Sequence, residues 1–355
     1  MLPEILNRHG YLTVAVDNLI HTGAEWFARG YVHYVNTGGI IVISKGMKIK
    51  AEKVNEAAFE ALEWGLKKCG SKGFFMFIHY WDPHTPYLPP QKYVEKFYWG
   101  DPSKGDLKER LNKTPWGRHL LHIFKGWMDE LIKSGVNDKS YVDALYDAEI
   151  LYVDEKIGDL LTRIDELGLT DDTAIILTSD HGELLGEHEI YYDHHGLYEE
   201  DIKVPLIIRY PPQIPQGTKI DSIVSHMDLL PTILDLTNIK SPNKVTGNSL
   251  LKLLNKEWSG YSMLCIIENT RMTKRALRTK EWKLIETLRP DIYGNPPGHL
   301  ELYNLKEDPK ENENLTEKDE ETALYLLGKL ERLYRSILEG KGDPLIEQEI
   351  SMPIQ

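Results

Sequence analysis

Ala174-Ile-Ile-Leu-Thr-Ser-Asp-His-Gly-Glu183 joins a short apolar, β-branched run to a polar turn, and Tyr192-Asp-His-His-Gly196 follows close behind. The run Ala174 to Thr178 has the length and composition of a fully buried strand in a parallel sheet. In open α/β sheets ligands lie outside the carboxyl ends of the strands, so Asp180 and His181 fall where a site is expected. A carboxylate beside an imidazole, on a turn relaxed by Gly182, makes half of a metal site. Read alone, such a pair is more often a turn with a helix N-cap. Glu187, His188, Asp193, His194 and His195 then follow within fifteen residues, and Val204-Pro-Leu-Ile-Ile-Arg209 repeats the buried-strand pattern.

The bulk properties set the frame. A chain of 355 residues buries a large core and forms one large domain or two. Its net charge of −13 argues against nucleic acid as a partner, so an anionic substrate needs local positive potential or a metal to draw it in. Cys69 and Cys265 make neither a disulfide framework nor a zinc pattern. No apolar run approaches the ~20 residues of a membrane span, and the opening Met1-Leu-Pro-Glu-Ile-Leu6 has no basic start or long apolar core of a signal peptide. The expectation is a cytoplasmic protein with no membrane partner.

Working outward, residues 2–9 read as a short helix with Pro3 in its first turn and Gly10 closing it. Thr13-Val-Ala-Val16 reads as a strand that ends in the polar Asp17-Asn18. Between Met47 and Lys68 the spacing is helical, with Val54, Ala57, Ala58, Ala61, Leu62 and Leu66 on one face. Phe74-Phe-Met-Phe-Ile78 is a buried strand that empties into His79-Tyr-Trp-Asp-Pro-His-Thr-Pro86, where two prolines fix the backbone around His84. Residues 91–138 read as an insertion of short helices and loops, in which His119 and His122 belong to a solvated face. Tyr141 to Leu167 is the strongest helix, ended by Gly168. His226 and Asp228 read as a helix start. From residue 255 short strands separated by turns predict a small antiparallel sheet. The acidic run 307–321 reads as a solvated loop, and a last helix carries Leu324, Leu327, Leu330, Tyr334 and Ile337 on one side. The domains expected are 1–254 and 255–355.

Several of these stretches together are distinctive. Thr178-Ser-Asp-His-Gly-Glu-Leu-Leu-Gly-Glu-His188, Gly196-Leu-Tyr-Glu-Glu200 and Val204-Pro-Leu-Ile-Ile208 closely resemble the sulfatase family of the alkaline-phosphatase superfamily. Asp82-Pro-His-Thr-Pro86 after a buried strand is a second, independent match. Arg278-Thr-Lys-Glu-Trp-Lys-Leu284 and Glu301 to Pro309 resemble the family's C-terminal part. The resemblance implies an α/β fold, alkaline-phosphatase-like, with a largely parallel central sheet flanked by helices and a small C-terminal antiparallel sheet plus helix.

The resemblance also implies a chemistry. Sulfate-ester hydrolysis needs an activated nucleophile, stabilisation of charge in the transition state and an acid for the leaving oxygen. In the family a formylglycine made from Cys/Ser-x-Pro-x-Arg is the nucleophile, and a divalent ion, usually calcium, with magnesium or manganese as alternatives, lies beneath it. Asp180 and His181 then correspond to metal ligands, while His21, His84 and one of His194 or His195 surround the sulfate. Asn18 stands where relatives often carry lysine. The Cys/Ser-x-Pro-x-Arg motif and the family's opening Asp-Asp strand do not occur, so the chain is expected to lack the family's N-terminal segment. Three readings stay open: a sulfatase acting on a small anionic sulfate ester, a phosphonate monoester or phosphodiester hydrolase, and a non-catalytic binding protein. A homo-oligomer or a complementing chain would suit the last.

Overall fold

Three short strands in the first half of the sequence pair side by side. The computed structural model describes residues 1–19, 25–37, 48–122, 126–242 and 245–339, and the chain divides into two compact units, Met1–Asp172 and Thr173–Gln355. In the first unit helix α1 (Leu2–Arg8) leads into β1 (Leu12–Asp17), which lies between β2 (His33–Asn36) and β3 (Phe74–Ile78) in one parallel sheet. Val14 sits opposite His33 on one side and Met76 on the other. The turn into β2 passes so close to α1 that a Cβ on Gly30 would lie 2.6 Å from the Glu4 nitrogen, and Gly30 has φ +89°. Only glycine fits there.

Helix α2 (Ala51–Lys68) packs its Val54, Ala58 and Ala61 on Val14 and Val16, so the small residues of the helix stripe let it approach the sheet closely. Its outer turns are tied to α7 (Lys139–Glu166), where Asn55 Nδ2 donates to the Lys156 carbonyl at 2.7 Å. Asp138 caps α7 through the Ser140 N–H. Between β3 and α7 the insertion folds into four short helices, α3 (Gln91–Val94), α4 (Leu107–Lys113), α5 (Pro115–His122) and α6 (Trp127–Lys133). His119 on α5 is half-buried against the Trp116 ring.

In the second unit β4 (Ile175–Thr178) pairs with β7 (Leu206–Arg209), and the pair is antiparallel. This corrects the expectation of a fully buried strand in a parallel sheet. β4 is only half-buried, and Ile207 of β7 is 60% exposed. An apolar β-branched run signals a strand but carries no information about direction, which the connection sets. Here that connection holds a hairpin, β5 (Leu184–Leu185) with β6 (Tyr191–Asp193), and the short helix α8 (Glu199–Ile202). After β7, Ser225 forms a capping box with Asp228 around the 3-10 turn His226–Asp228, which runs into α9 (Leu229–Leu236); α10 (Leu251–Leu254) follows.

The C-terminal sheet is antiparallel, in the order β11-β10-β9-β8, from β8 (Met263–Asn269), β9 (Thr273–Thr279), β10 (Trp282–Thr287) and β11 (Leu300–Asn304). Strand alternation sends Leu277, Leu284 and Leu302 to one face, where α11 (Glu320–Leu338) covers them. The helix stripe doing so is Ala323, Leu326, Leu330 and Leu333, with Leu327 packed against it; of the residues expected there, Leu330 and Leu327 take part, whereas Leu324 is 56% and Ile337 44% exposed. On the opposite face Lys274, Lys283 and Glu301 are buried. The acidic run is likewise not uniformly solvated, because Glu311 is 1% exposed and pairs with Lys283 at 2.8 Å. No helix among the described residues is long and apolar enough to cross a membrane.

Candidate functional site

The carboxyl ends of the parallel strands in the first unit collect polar side chains. Asp17 ends β1 and is 2% exposed. Its Oδ2 accepts from the Tyr34 hydroxyl at 2.5 Å and its Oδ1 lies 2.8 Å from His79 Nδ1. Burial pushes the Asp17 carboxyl up, but the His79 and Tyr34 hydrogen bonds outweigh it and hold the pKa below the usual range. An ionised Asp17 therefore keeps the His79 proton on Nδ1 and fixes the ring. Asn18, next in sequence, is 3% exposed, and its Nδ2 has no hydrogen-bond partner among the described residues.

His84 stands on the proline-framed loop after β3. Its Nδ1 lies 2.7 Å from the Thr85 carbonyl, which sets the tautomer, and its ring leans on Trp81 at 4.8 Å. The loop is fixed from below. Lys48 is fully enclosed, pairs with Asp82 at 2.8 Å and with Glu149 of α7, and donates to the His84 carbonyl at 3.1 Å. Asp82 Oδ2 accepts from the Ala51 N–H at 2.7 Å, and Glu149 Oε1 from the Leu88 N–H at 2.6 Å. Burial pushes Glu149 upward while Lys48 opposes it. Breaking such a pair by removing one partner is costly, because the other charge is left buried.

The second unit carries the other candidates. His181 Nδ1 lies 2.7 Å from the Gly182 carbonyl, so the ring presents Nε2, 3.7 Å from Asp180 Oδ2. Two donors on one ion with bonds of about 2.0–2.6 Å stand about 3–4 Å apart, so this pair fits half of a divalent-metal site. His194 stacks on His181 with centroids 3.9 Å apart. Its Nδ1 is 3.6 Å from both Glu183 and Asp193. Burial works against its charged form, but the nearby carboxylates of Glu183, Asp193 and Asp201 prevail and raise its pKa. His195 is wholly enclosed, 3.8 Å from Asp193, whereas the His194 side chain is 35% exposed. Asp201, on α8, is pushed up to about 6 by burial.

Sequence reasoning singled out Asp180, His181, His194 and His195, and the fold gathers them around one turn and one hairpin. His21 lies outside the described residues. Missed were the Asp17–His79 pair and the Lys48–Asp82–Glu149 cluster, whose members stand far apart in sequence. One signal was available: Glu149 interrupts the inward stripe of α7 between Ala148 and Tyr152, all three buried.

The Sulfatase family model matches residues 1–239, and the model for the C-terminal part of N-sulphoglucosamine sulphohydrolase matches residues 186–335. Arylsulfatase K of Bos taurus is 32% identical over 367 residues, covering 92% of this chain and 66% of its own length. The N-acetylglucosamine-6-O-sulfatase of Bacteroides thetaiotaomicron is 36% identical over 185 residues, covering 49% of this chain and 32% of its own. The chain thus spans about a third to two thirds of the length of these relatives. A protein solved in complex with its substrate D-glucosamine-2-N,6-O-disulfate superposes with a TM-score of 0.70 at 20% identity, covering 97% of this chain and 83% of that one. The phosphonate monoester hydrolase of Agrobacterium radiobacter gives 0.69 at 18%, covering 95% and 80%. At these identities the structural likeness shows an alkaline-phosphatase-like α/β fold.

Proposed function

The chain belongs to the sulfatase family, and from that premise we propose that it contributes the metal-binding and sulfate-contacting residues of a sulfuric ester hydrolase. Asp180 and His181 are the proposed ligands of a divalent ion, calcium first. That ion would supply positive charge for the sulfate oxygens and for a nucleophile. His84 and His194 are the proposed sulfate contacts. His195 is fully enclosed 3.8 Å from Asp193 and is the less accessible of the two histidines, and His21 keeps the role that the family resemblance gives it. The supporting observation is His194: Glu183 and Asp193 favour its cationic form beside the proposed metal ligand His181. A cationic imidazole suits an oxyanion in both the ground and transition states. The small fourfold sheet and α11 belong to the proposed C-terminal subdomain, 255–355.

The family's nucleophile is a formylglycine, and its precursor motif does not occur among these 355 residues. The roles above are those of binding and charge stabilisation. The test is inorganic sulfate release from an aryl sulfate, with a phosphonate monoester as the competing substrate. It is run on the purified polypeptide and on the same polypeptide read in frame with upstream coding sequence. Sulfated glucosamines come next, because two of the similar proteins are named for, or were solved with, such sugars. Preference for the phosphonate would reassign the substrate class. A folded protein silent on all of them would leave a binding role.

A further inference from the structure

The second unit holds another convergence of metal-ligating side chains that sulfate-ester chemistry does not use. His188, Glu200 and Glu311 come from three segments: the turn between β5 and β6, helix α8, and the loop after β11. Each offers one ligand atom, and the three atoms lie within 4.8 Å of one another. Buried polar atoms ordinarily have partners. Yet His188 Nε2 and Glu200 Oε2 are both shut off from solvent with no hydrogen bond among the described residues. Glu311 is 1% exposed; its Oε2 accepts from the Glu199 N–H at 2.6 Å, and its Oε1 faces Lys283 at 2.8 Å as an ion pair.

Local structure holds these groups in place. The His188 ring lies flat on Tyr198, with centroids 3.6 Å apart and planes within 5°, and the Tyr198 hydroxyl donates to Glu301 at 2.6 Å. His188 and Glu311 both take left-handed backbone angles, φ +52° and +55°, which non-glycine residues adopt only where the surroundings enforce them. Burial lowers His188 to about 4, so at neutral pH the ring offers a lone pair instead of a second proton. Among the described residues Glu199 pairs with Arg278 and Lys283, and Glu311 with Lys283, while Glu200 adds a further carboxylate beside them. An open cavity of about 360 Å³ on the outer side is lined by Glu199, Glu200, Lys203 and Arg278.

We propose that His188, Glu200 and Glu311 form a second divalent-cation site, with the one-imidazole, two-carboxylate donor set that suits zinc, leaving a fourth position to water. Its effect is structural: one ion ties the β5–β6 turn, α8 and the loop after β11 together. It shares no residue with the sulfate-contacting set and does not depend on that assignment.

The direct test is a crystal of the chelator-stripped full chain equilibrated with zinc alone, with diffraction recorded at the zinc absorption edge. The expected result is an anomalous peak about 2.0–2.2 Å from a His188 nitrogen and from oxygens of Glu200 and Glu311. Density there without anomalous signal, a bridging water, would overturn the proposal. In solution, saturating zinc should raise the melting temperature of wild type and of a D180A/H181A double variant by about 5 °C. It should not raise that of His188→Phe, which keeps a ring on Tyr198. An equal rise in His188→Phe would overturn the proposal. Should that variant fail to fold, the anomalous map decides.

Discussion

Gly182 sets the geometry of the Asp180–His181 turn at the scale of a single atom. A Cβ built on it would lie 1.9 Å from the backbone oxygen of Glu200, while its own N–H donates to the Asp201 carbonyl at 2.7 Å. Gly182→Ala should therefore force the turn off α8 and cost about 3 kcal/mol or more, readable as a fall in the denaturation midpoint. His194 is tested through charge. If the cation is what meets the ester, His194→Ala should lower kcat/KM by about 100-fold or more. Its raised pKa puts the charged form below that pKa, so turnover should fall as pH rises through it. His194→Lys should carry the alkaline limb of the pH profile upward, and a limb that stays in place would remove the role. The Asp17–His79 pair was hidden in the sequence for a simple reason. Its partners are 62 positions apart, and each alone reads as a loop residue.

At the scale of elements, periodicity was readable and face selection was not. The stripe of α2 and the length of α7 follow from spacing, and the packed residues Val54, Ala58 and Ala61 are among those expected. Helix α11 has more apolar residues than one face holds, so only contact with Leu277, Leu284 and Leu302 selects Leu326 and Leu330 over Leu324 and Ile337. Leu330, with no exposed surface, should cost about 2–5 kcal/mol as Leu330→Ala, whereas Leu324→Ala should change stability by about 0.5 kcal/mol or less. Parallel measurements of urea midpoints check both. Helix α8 is fastened by charge: Glu199 meets Arg278 at 3.0 Å and Lys283 at 2.8 Å. Burial opposes ionisation of Glu199, yet these partners prevail and hold it near 2, below its ordinary value of 4.5. A depressed carboxyl stabilises the fold above its unfolded pKa and loses that stabilisation as pH falls from about 4.5 toward 2. Glu199→Gln should flatten that part of the acid limb in thermal melts, by on the order of 2 kcal/mol. An unchanged limb would contradict the pairing.

For the whole molecule, family-level motifs carried further than composition did. The turn Ser179 to Gly182 and the loop Asp82 to Pro86 identified the family before any contact was known, and the fold has the parallel sheet, flanking helices and C-terminal antiparallel sheet they implied. The direction of β4 escaped that reading because an apolar run reports burial and not orientation. Glu311 escaped because one acid in an acidic run is indistinguishable from its neighbours until its distant partner Lys283 is in place. Pairings of this kind, between residues remote in sequence, separate the stretches that define a family from the contacts that position its chemistry. The most direct measurement is sulfate released from an aryl sulfate by the chelator-stripped protein, expressed with any coding sequence that lies in frame upstream, with and without added calcium. The account predicts release that disappears on chelation, returns with calcium, and is absent from Asp180→Ala under both conditions. Release that persists without metal, or that Asp180→Ala retains in full, would contradict it.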